Sequence, residues 1–534
     1  MTRLIKSILL MAFLAVAFTG CKKGTSTKSG VKGSSQQITI NITSEPSTLD
    51  PRKARALSDM NLIRMFMEGL TRTDKNGKNT LALAQSVDLS FDRKKYTFKL
   101  RDSKWSNGDP VTSHDFAYAW KKSLTPTFNA PNANLLYVIK NAQEAKKGTL
   151  PLSLVGIETP DDKTLVITLN NPTPYFLDLL ANPIYFPVNS KLDRTDSRWA
   201  EKEDSFVGNG PFVLSSWKHH NQLEAKKNEG YWDRNSVKLA RVNMVMVSED
   251  TGFKMFDTHE LNWDGSPFST IPVDAIQALR GEEKLQTAPV LATQWIRVNV
   301  DKDPFTSKQM RRAFGFAVDR QAIVEYIAQG NQIPATGIVP SAMKLQNKAL
   351  FEDGNVELAQ DLFNEAMNNS GLPIEKFPKV SLLYASAERN HLIAQALQDQ
   401  WLKTFGVQIE LEAVESKVFF DRVSKKDYTL SLGNWFADYN DPINFLEVFK
   451  TKEIGTNNTN WENPSYTELL ETSFECNTPE ERFGVLAKSE ELLMNEMPVI
   501  PIFHYTMLYI QDKELKDVVL TPMGNIDFKW AHLN

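Results

Sequence analysis

Apolar and polar residues alternate over Ile38–Ile42, Tyr96–Leu100 and Thr164–Leu169, the period of strands with one buried face. Phe212–Trp217, entered through the tight turn Gly208–Pro211, and Leu239–Val247 are further strand predictions. Between them the period lengthens. Ser58 stands as a cap before Ile63, Phe66, Met67 and Leu70, and Thr112 with Asp115 predicts a capping box before Phe116, Ala119 and Trp120. From about Leu291 the pattern becomes a regular strand–helix alternation. It predicts strands at Thr293–Val300, Val380–Tyr384, Val407–Val414 and Tyr428–Leu432, and helices at Ser307–Gln329, Glu388–Phe405 and Ser416–Lys425. Thr478-Pro479-Glu480-Glu481 opens a last long helix, and Val499–Tyr509 and Val518–Thr521 close the chain as strands. No internal repeat interrupts this order. The fold class is mixed α/β.

Asn434–Pro442, Asn-Trp-Phe-Ala-Asp-Tyr-Asn-Asp-Pro, follows the predicted strand and precedes a helix at Ile443–Phe449. Trp435, Phe436 and Asp438 thus fall where a rigid element runs into a loop, the usual position of binding residues. The same residues also read as a core strand and an Asx-type turn.

Composition adds the scale and the address. The 534 residues are 41% hydrophobic and 24% charged, enough for two to four domains. A net charge of −4 argues against nucleic acid as a partner. Arg3 and Lys6 precede an apolar run, Ile8–Phe18, that ends in Thr19-Gly20-Cys21. This is the layout of a secretory signal and is too short for a permanent span. Small-Gly-Cys resembles a bacterial lipobox, which makes Cys21 a lipid anchor, although Phe18 departs from the usual Leu. Residues 1–20 are then the signal peptide. Residues 21–37, rich in Lys, Gly, Ser and Thr, are a flexible tether beside an anionic bilayer. With Cys21 acylated, Cys476 has no disulfide partner and reads as a small apolar residue.

Catalytic chemistry finds little support. The seven histidines are scattered and none makes HExxH; His219-His220, if on a strand, point to opposite faces. There is no G-x-S-x-G elbow and no P-loop. A secreted peptidase is the rival from the enzyme class, and an adhesive or chaperone-like lipoprotein is a third reading.

Six segments in order carry a resemblance. Ser44-Glu45-Pro46-Ser47-Thr48-Leu49-Asp50-Pro51 is similar to the S-E-P-x-x-L-D-P opening of the extracytoplasmic oligopeptide-binding proteins, OppA-like members of solute-binding family 5. Trp105–Phe116, Gly208–Phe212, Tyr231-Trp232-Asp233 and Arg311–Arg320 resemble further elements of that family. Trp435–Pro442 resembles its W-x-A-D-Y-x-(D/E)-P. The resemblance implies a two-lobed periplasmic-binding-protein flytrap of class II (cluster C), with two crossover strands and a subdomain inserted in the first lobe. Its expected parts are lobe I at 38–67, 191–290 and 503–534, the insertion at 68–190, and lobe II at 291–502.

The resemblance also implies the function: the extracytoplasmic component of a peptide ABC importer, a non-enzyme without cofactor or metal, monomeric and membrane-bound only through its anchor. It would enclose an extended oligopeptide by backbone pairing and deliver it to permease subunits. Asp438 takes the role of the carboxylate that pairs with the ligand's α-ammonium. Asn434, Trp435 and Phe436 would lie beside its backbone, with Arg55, Ala56 and Leu57 facing it from the first lobe and Asn132 in the cleft. Arg55 stands where a relative carries an acid, Asn132 replaces a cleft tyrosine, and Leu432 and Val423 fall at arginine positions. These departures read either as neutral drift at hydrated positions or, for Arg55, as a relocation of anionic recognition that would favour acidic peptides, including murein stem peptides. Alternatives within the fold are murein stem peptides, nickel or haem complexes, and saccharides.

Overall fold

The computed structural model describes residues 36–534 other than Asn347, Leu372 and Ile454. The expected signal segment, most of the tether and Cys21 lie outside the described residues. In chain order the main strands are β1 (Gln37–Asn41), β2 (Ala84–Leu89), β3 (Lys95–Leu100), β4 (Ile157–Asp161), β5 (Thr164–Thr168), β6 (Phe212–Lys218) and β7 (Gln222–Lys227). They continue with β8 (Arg241–Val245), β9 (Trp263–Gly265), β10 (Gln286–Val298), β11 (Ser381–Ala385), β12 (Glu410–Val414), β13 (Leu430–Phe436) and β14 (Val499–Gln511).

One large sheet has the order β12-β11-β13-β10-β14-β9-β1-β8-β7-β6. Its centre is the antiparallel pair β10 and β14, each 13 residues long, with register shifts between Pro289 and Thr293 and between Gln294 and Trp295. These strands are long enough to serve two cores. Beside β10, the smaller core gathers Ile296, Leu382, Leu430, Phe314 and Trp401. The larger core packs Ile38, Ile40 and Val242 of β1 and β8 with Phe66, Trp120 and Tyr185, and it also takes in Tyr439, Phe449 and Leu493. A separate antiparallel sheet, β2-β3-β5-β4, lies within the segment expected as the insertion. Its β3 shows the predicted alternation, with Tyr96, Phe98 and Leu100 buried.

Most of the motif residues hold the scaffold together. Glu45 accepts from Trp217 Nε1 (2.6 Å) and from the His220 amide (2.5 Å). Asp50 and Asp193 grip the buried Arg52 guanidinium from two sides. Tyr231 and Trp232 both donate to the Glu68 carboxylate, at 2.5 and 2.6 Å. Gly208 and Gly210 admit the Leu57–Phe66 helix end: a Cβ at Gly210 would stand 2.6 Å from the Met67 amide nitrogen. The Thr112–Asp115 capping box forms as the spacing predicts, and Thr478 caps Pro479–Glu496 through the Glu481 amide (3.1 Å).

Three local expectations need correction. The helix expected to start after Ser58 begins at Leu57, with Ala56 extended at its N-cap and no side-chain cap. Ser58 is therefore inside the first turn. The helix predicted over Ser307–Gln329 breaks into Lys308–Phe316 and Arg320–Ile323, followed by a wide turn at Val324–Ala328. The cause is Arg320, whose buried guanidinium donates to the carbonyls of Gly315, Val318 and Pro501 and to Asp353, while Asp319 caps the second piece. His219 and His220 follow β6 in a turn rather than lying within it, and both face Glu45, with Nδ1 atoms at 2.8 and 3.9 Å.

Candidate functional site

β13 has two unlike edges. One pairs with β10 from Val298↔Leu430 to Ala292↔Phe436. The other pairs with β11 only at Leu430 and Ser431. From Leu432 to Phe436 no strand covers that edge among the described residues. Such an edge is a template for another extended chain. Asn434 and Phe436 are exposed along it, and the strand runs directly into Ala437 and Asp438.

Asn444, buried at 2% exposure, fixes this corner. Its Oδ1 accepts from Trp435 Nε1 (2.9 Å) and from the Asp438 amide (3.2 Å), so the indole and the loop share one acceptor. Three residues after Asp438, Asp441 meets Arg482 in a buried bidentate pair (2.7 and 2.8 Å) that ties the loop to the Pro479–Glu496 helix. Tyr439 donates to Glu447 (2.5 Å) and stacks on Tyr175, with centroids 4.2 Å apart. The loop is thus held on every side, Asp438 included through its amide, while the Asp438 carboxylate forms no ion pair among the described residues. Its side chain is open to water but crowded by protein atoms. That desolvation pushes its carboxyl above the usual range, opposed by the hydrogen bond from Asn444.

Three cavities meet along this edge. One of about 960 Å³ is lined by Trp435, Asp438 and Glu447. A second, of about 250 Å³, brings Arg55, Leu57, Asn132, Phe436 and Asp438 together. A third, of about 450 Å³, lies between Leu57, Phe436 and Tyr505. Asp438 borders the first two, and Leu57 and Phe436 border the last two, so the cavities form one groove past the carboxylate.

Of the residues singled out in the sequence, Asp438, Trp435, Phe436, Arg55, Leu57 and Asn132 line this groove. Asn132 also donates to the Ala54 carbonyl (3.1 Å), which places it as much in the wall as in the site. Asn434 lines none of these cavities and bonds the Tyr505 hydroxyl (3.4 Å); Ala56 serves as the helix N-cap. Leu432 and Val423 are buried at 3% and 5% in cores and do not face the groove. Asn444 and Arg64 were not foreseen. Asn444 lies in the predicted helix at the end of the motif, and Arg64 adjoins the apolar position Ile63, where a basic residue reads as solvent-facing. Among the described residues, no cluster of His, Cys, Asp or Glu could hold a metal ion, and no helix is long and apolar enough to cross a membrane.

A groove along a free strand edge, in a fold whose long central strands serve two cores, fits a two-lobed binding protein. The chain belongs to family 5 of the bacterial extracellular solute-binding proteins, whose sequence profile (the middle region) matches residues 79–457. It is 37% identical over 532 residues to the oligopeptide-binding protein OppA of Bacillus subtilis (strain 168), covering 98% of this chain and 97% of that one. Its fold is similar to MppA, a periplasmic murein tripeptide binding protein in an unliganded open form, with a TM-score of 0.83 and 27% identity over 94% of this chain and 98% of that one. It is also similar to Haemophilus influenzae OppA in complex with RPPGFSPFR, with a TM-score of 0.72 and 26% identity over 94% and 99% of the two chains.

Proposed function

We propose that the chain is the substrate-binding component of a peptide ABC importer and holds an extended oligopeptide along β13, with the peptide's α-ammonium at Asp438. The observation that carries this reading is the free β13 edge ending at an unpaired carboxylate. Backbone pairing suits a carrier of many sequences, because main-chain donors and acceptors are the same for every residue. The carboxylate supplies polarity, since an ammonium group is what the amino ends of peptides share. Ligand contacts made from both sides of the groove favour the closed arrangement, and the closed arrangement is what the permease subunits recognise.

The remaining assignments follow the family's pattern. Lobe I comprises 38–67, 191–290 and 503–534, the inserted subdomain 68–190, and lobe II 291–502. Cys21 carries a lipid that holds a monomeric body at a bacterial membrane, and no catalytic step is assigned. Murein stem peptides are a second reading, favoured by the likeness to MppA. Native mass spectrometry of the purified protein with its co-purifying ligands tests the proposal. Unmodified peptides with free amino termini, recovered intact after long incubation with the protein, are expected; a metal complex, a saccharide or progressive shortening of the bound peptide would overturn it.

A further inference from the structure

The Leu57–Phe66 helix carries Arg64 in its last turn, against the same 250 Å³ cavity that Asp438 and Phe436 line. Arg64 is half-buried, and among the described residues its guanidinium makes one hydrogen bond, Nη1 to Asn61 Oδ1 at 3.3 Å. A guanidinium has five N–H donors, and those of Arg64 that bond no protein atom remain accessible at the cavity, where a ligand can fill them. The carboxylate behind it is already committed. Arg72 holds both oxygens of Asp527 (2.6 and 2.9 Å) and reaches Glu68 (3.3 Å). Arg64 has no ion pair among the described residues, and neither has Arg55 in the same cavity wall. Burial pushes the Arg64 guanidinium down to about 9, with Asp527 opposing and Arg72 adding to the fall, so it remains a cation at neutral pH.

Asp178 also faces the cavity. It accepts from Asn79 Nδ2 (2.5 Å), lies beyond ion-pair distance of both arginines, and is pushed up by burial. The cavity therefore has a carboxylate for an ammonium at Asp438 and unfilled guanidinium donors at Arg64. A multiply charged anion is disfavoured by the two carboxyl groups, whereas one planar carboxylate matches a guanidinium fork. We propose that Arg64, assisted by Arg55, receives a carboxylate of the bound peptide close to its amino end, and so selects acidic or very short peptides. The inference rests on the peptide-binding reading above and names its ligand class. The carboxylate has two sources, an acidic side chain or the C-terminus of a short peptide.

Calorimetry with Ala-Glu-Ala and Ala-Gln-Ala, each with a free or amidated C-terminus, separates them. The wild type is expected to favour one carboxylate-bearing form by about tenfold, which is about 1.4 kcal/mol. Arg64→Gln should bring that ratio close to one, and Arg64→Lys should retain part of it. A preference lost on Glu-to-Gln exchange assigns the side chain; one lost on amidation assigns the C-terminus. Arg55→Gln, at an exposed side chain, should lower the same ratio and provides the test if Arg64→Gln does not fold. Peptides that bind with ratios indifferent to both arginines overturn the subsite alone. Peptides that do not bind the wild type at all overturn the peptide reading and the subsite with it.

Discussion

Replacing Asp438 by Asn removes the charge and keeps the shape, because Asn444 holds the backbone of residue 438 through its amide and not through its carboxylate alone. The pair lost is between a carboxylate and an ammonium in a groove that shuts on its ligand. Two charge-assisted hydrogen bonds at about 1.5 kcal/mol each give about 3 kcal/mol, or roughly 150-fold in affinity. The exposure of the Asp438 side chain in the open groove argues against the larger values found for fully buried pairs. The assay is calorimetry on a neutral peptide and its N-acetyl form with both proteins. Wild type should lose about that factor on acetylation, and Asp438→Asn should bind both forms with similar, weak affinity. Equal losses for free and acetylated peptides on mutation would refute the clamp, because the carboxylate would then be acting on something other than the amino group.

Three further outcomes follow from the same geometry. The carboxyl of Asp438 is pushed up in the empty groove, and a proton competes with the ammonium for it, so affinity for free-amine peptides should weaken on acidification. It should fall about tenfold per pH unit once the pH drops below that raised value, in calorimetry from pH 7 to pH 4, where the α-amino group stays protonated, with no such fall in Asp438→Asn. Arg482→Met leaves the buried Asp441 unpaired and should cost about 3–5 kcal/mol in urea unfolding, since the bidentate pair is lost without the carboxylate's removal. Glu490 is buried at 1% exposure and accepts from the Val339 amide (2.8 Å), and its burial pushes the carboxyl from 4.5 to about 7. A raised carboxyl contributes stability below its unfolded value and loses it as pH rises through about 7. The wild type should therefore lose up to about 3 kcal/mol between pH 4 and pH 8, and Glu490→Gln should flatten that slope in thermal melts.

Much of the scaffold was legible because its signals are local. The capping box at Thr112 and Asp115 needs only four residues, and the alternation of Tyr96, Phe98 and Leu100 needs only one buried face. The break at Ala317–Asp319 was not legible. Arg320 satisfies the loose carbonyls there by reaching Pro501, a residue far along the chain that local periodicity does not register. Ser58 misled in a different way, since Ala56 is extended by the turn before it and the helix needs no side-chain cap.

The groove divides along the same line. Asp438 and Phe436 could be singled out because a strand ends there in aromatics and an acid, and the family resemblance gave them roles. Asn444 and Arg64 could not, since each acts through partners brought in by folding: the indole of Trp435 for one, and the Asp527 already taken by Arg72 for the other. The motif also mixed two kinds of residue. Asp441 and Tyr439 hold the corner from below through Arg482 and Glu447, and Asp438 is the acid among them whose carboxylate forms no ion pair among the described residues.

A crystal structure of the protein with a bound neutral peptide tests the central claim most directly. The peptide's α-ammonium is expected within about 3 Å of the Asp438 carboxylate, with its backbone paired to the free edge of β13 beside Asn434–Phe436. A peptide running in the opposite direction, or seated away from that edge with Asp438 unpaired, would contradict it.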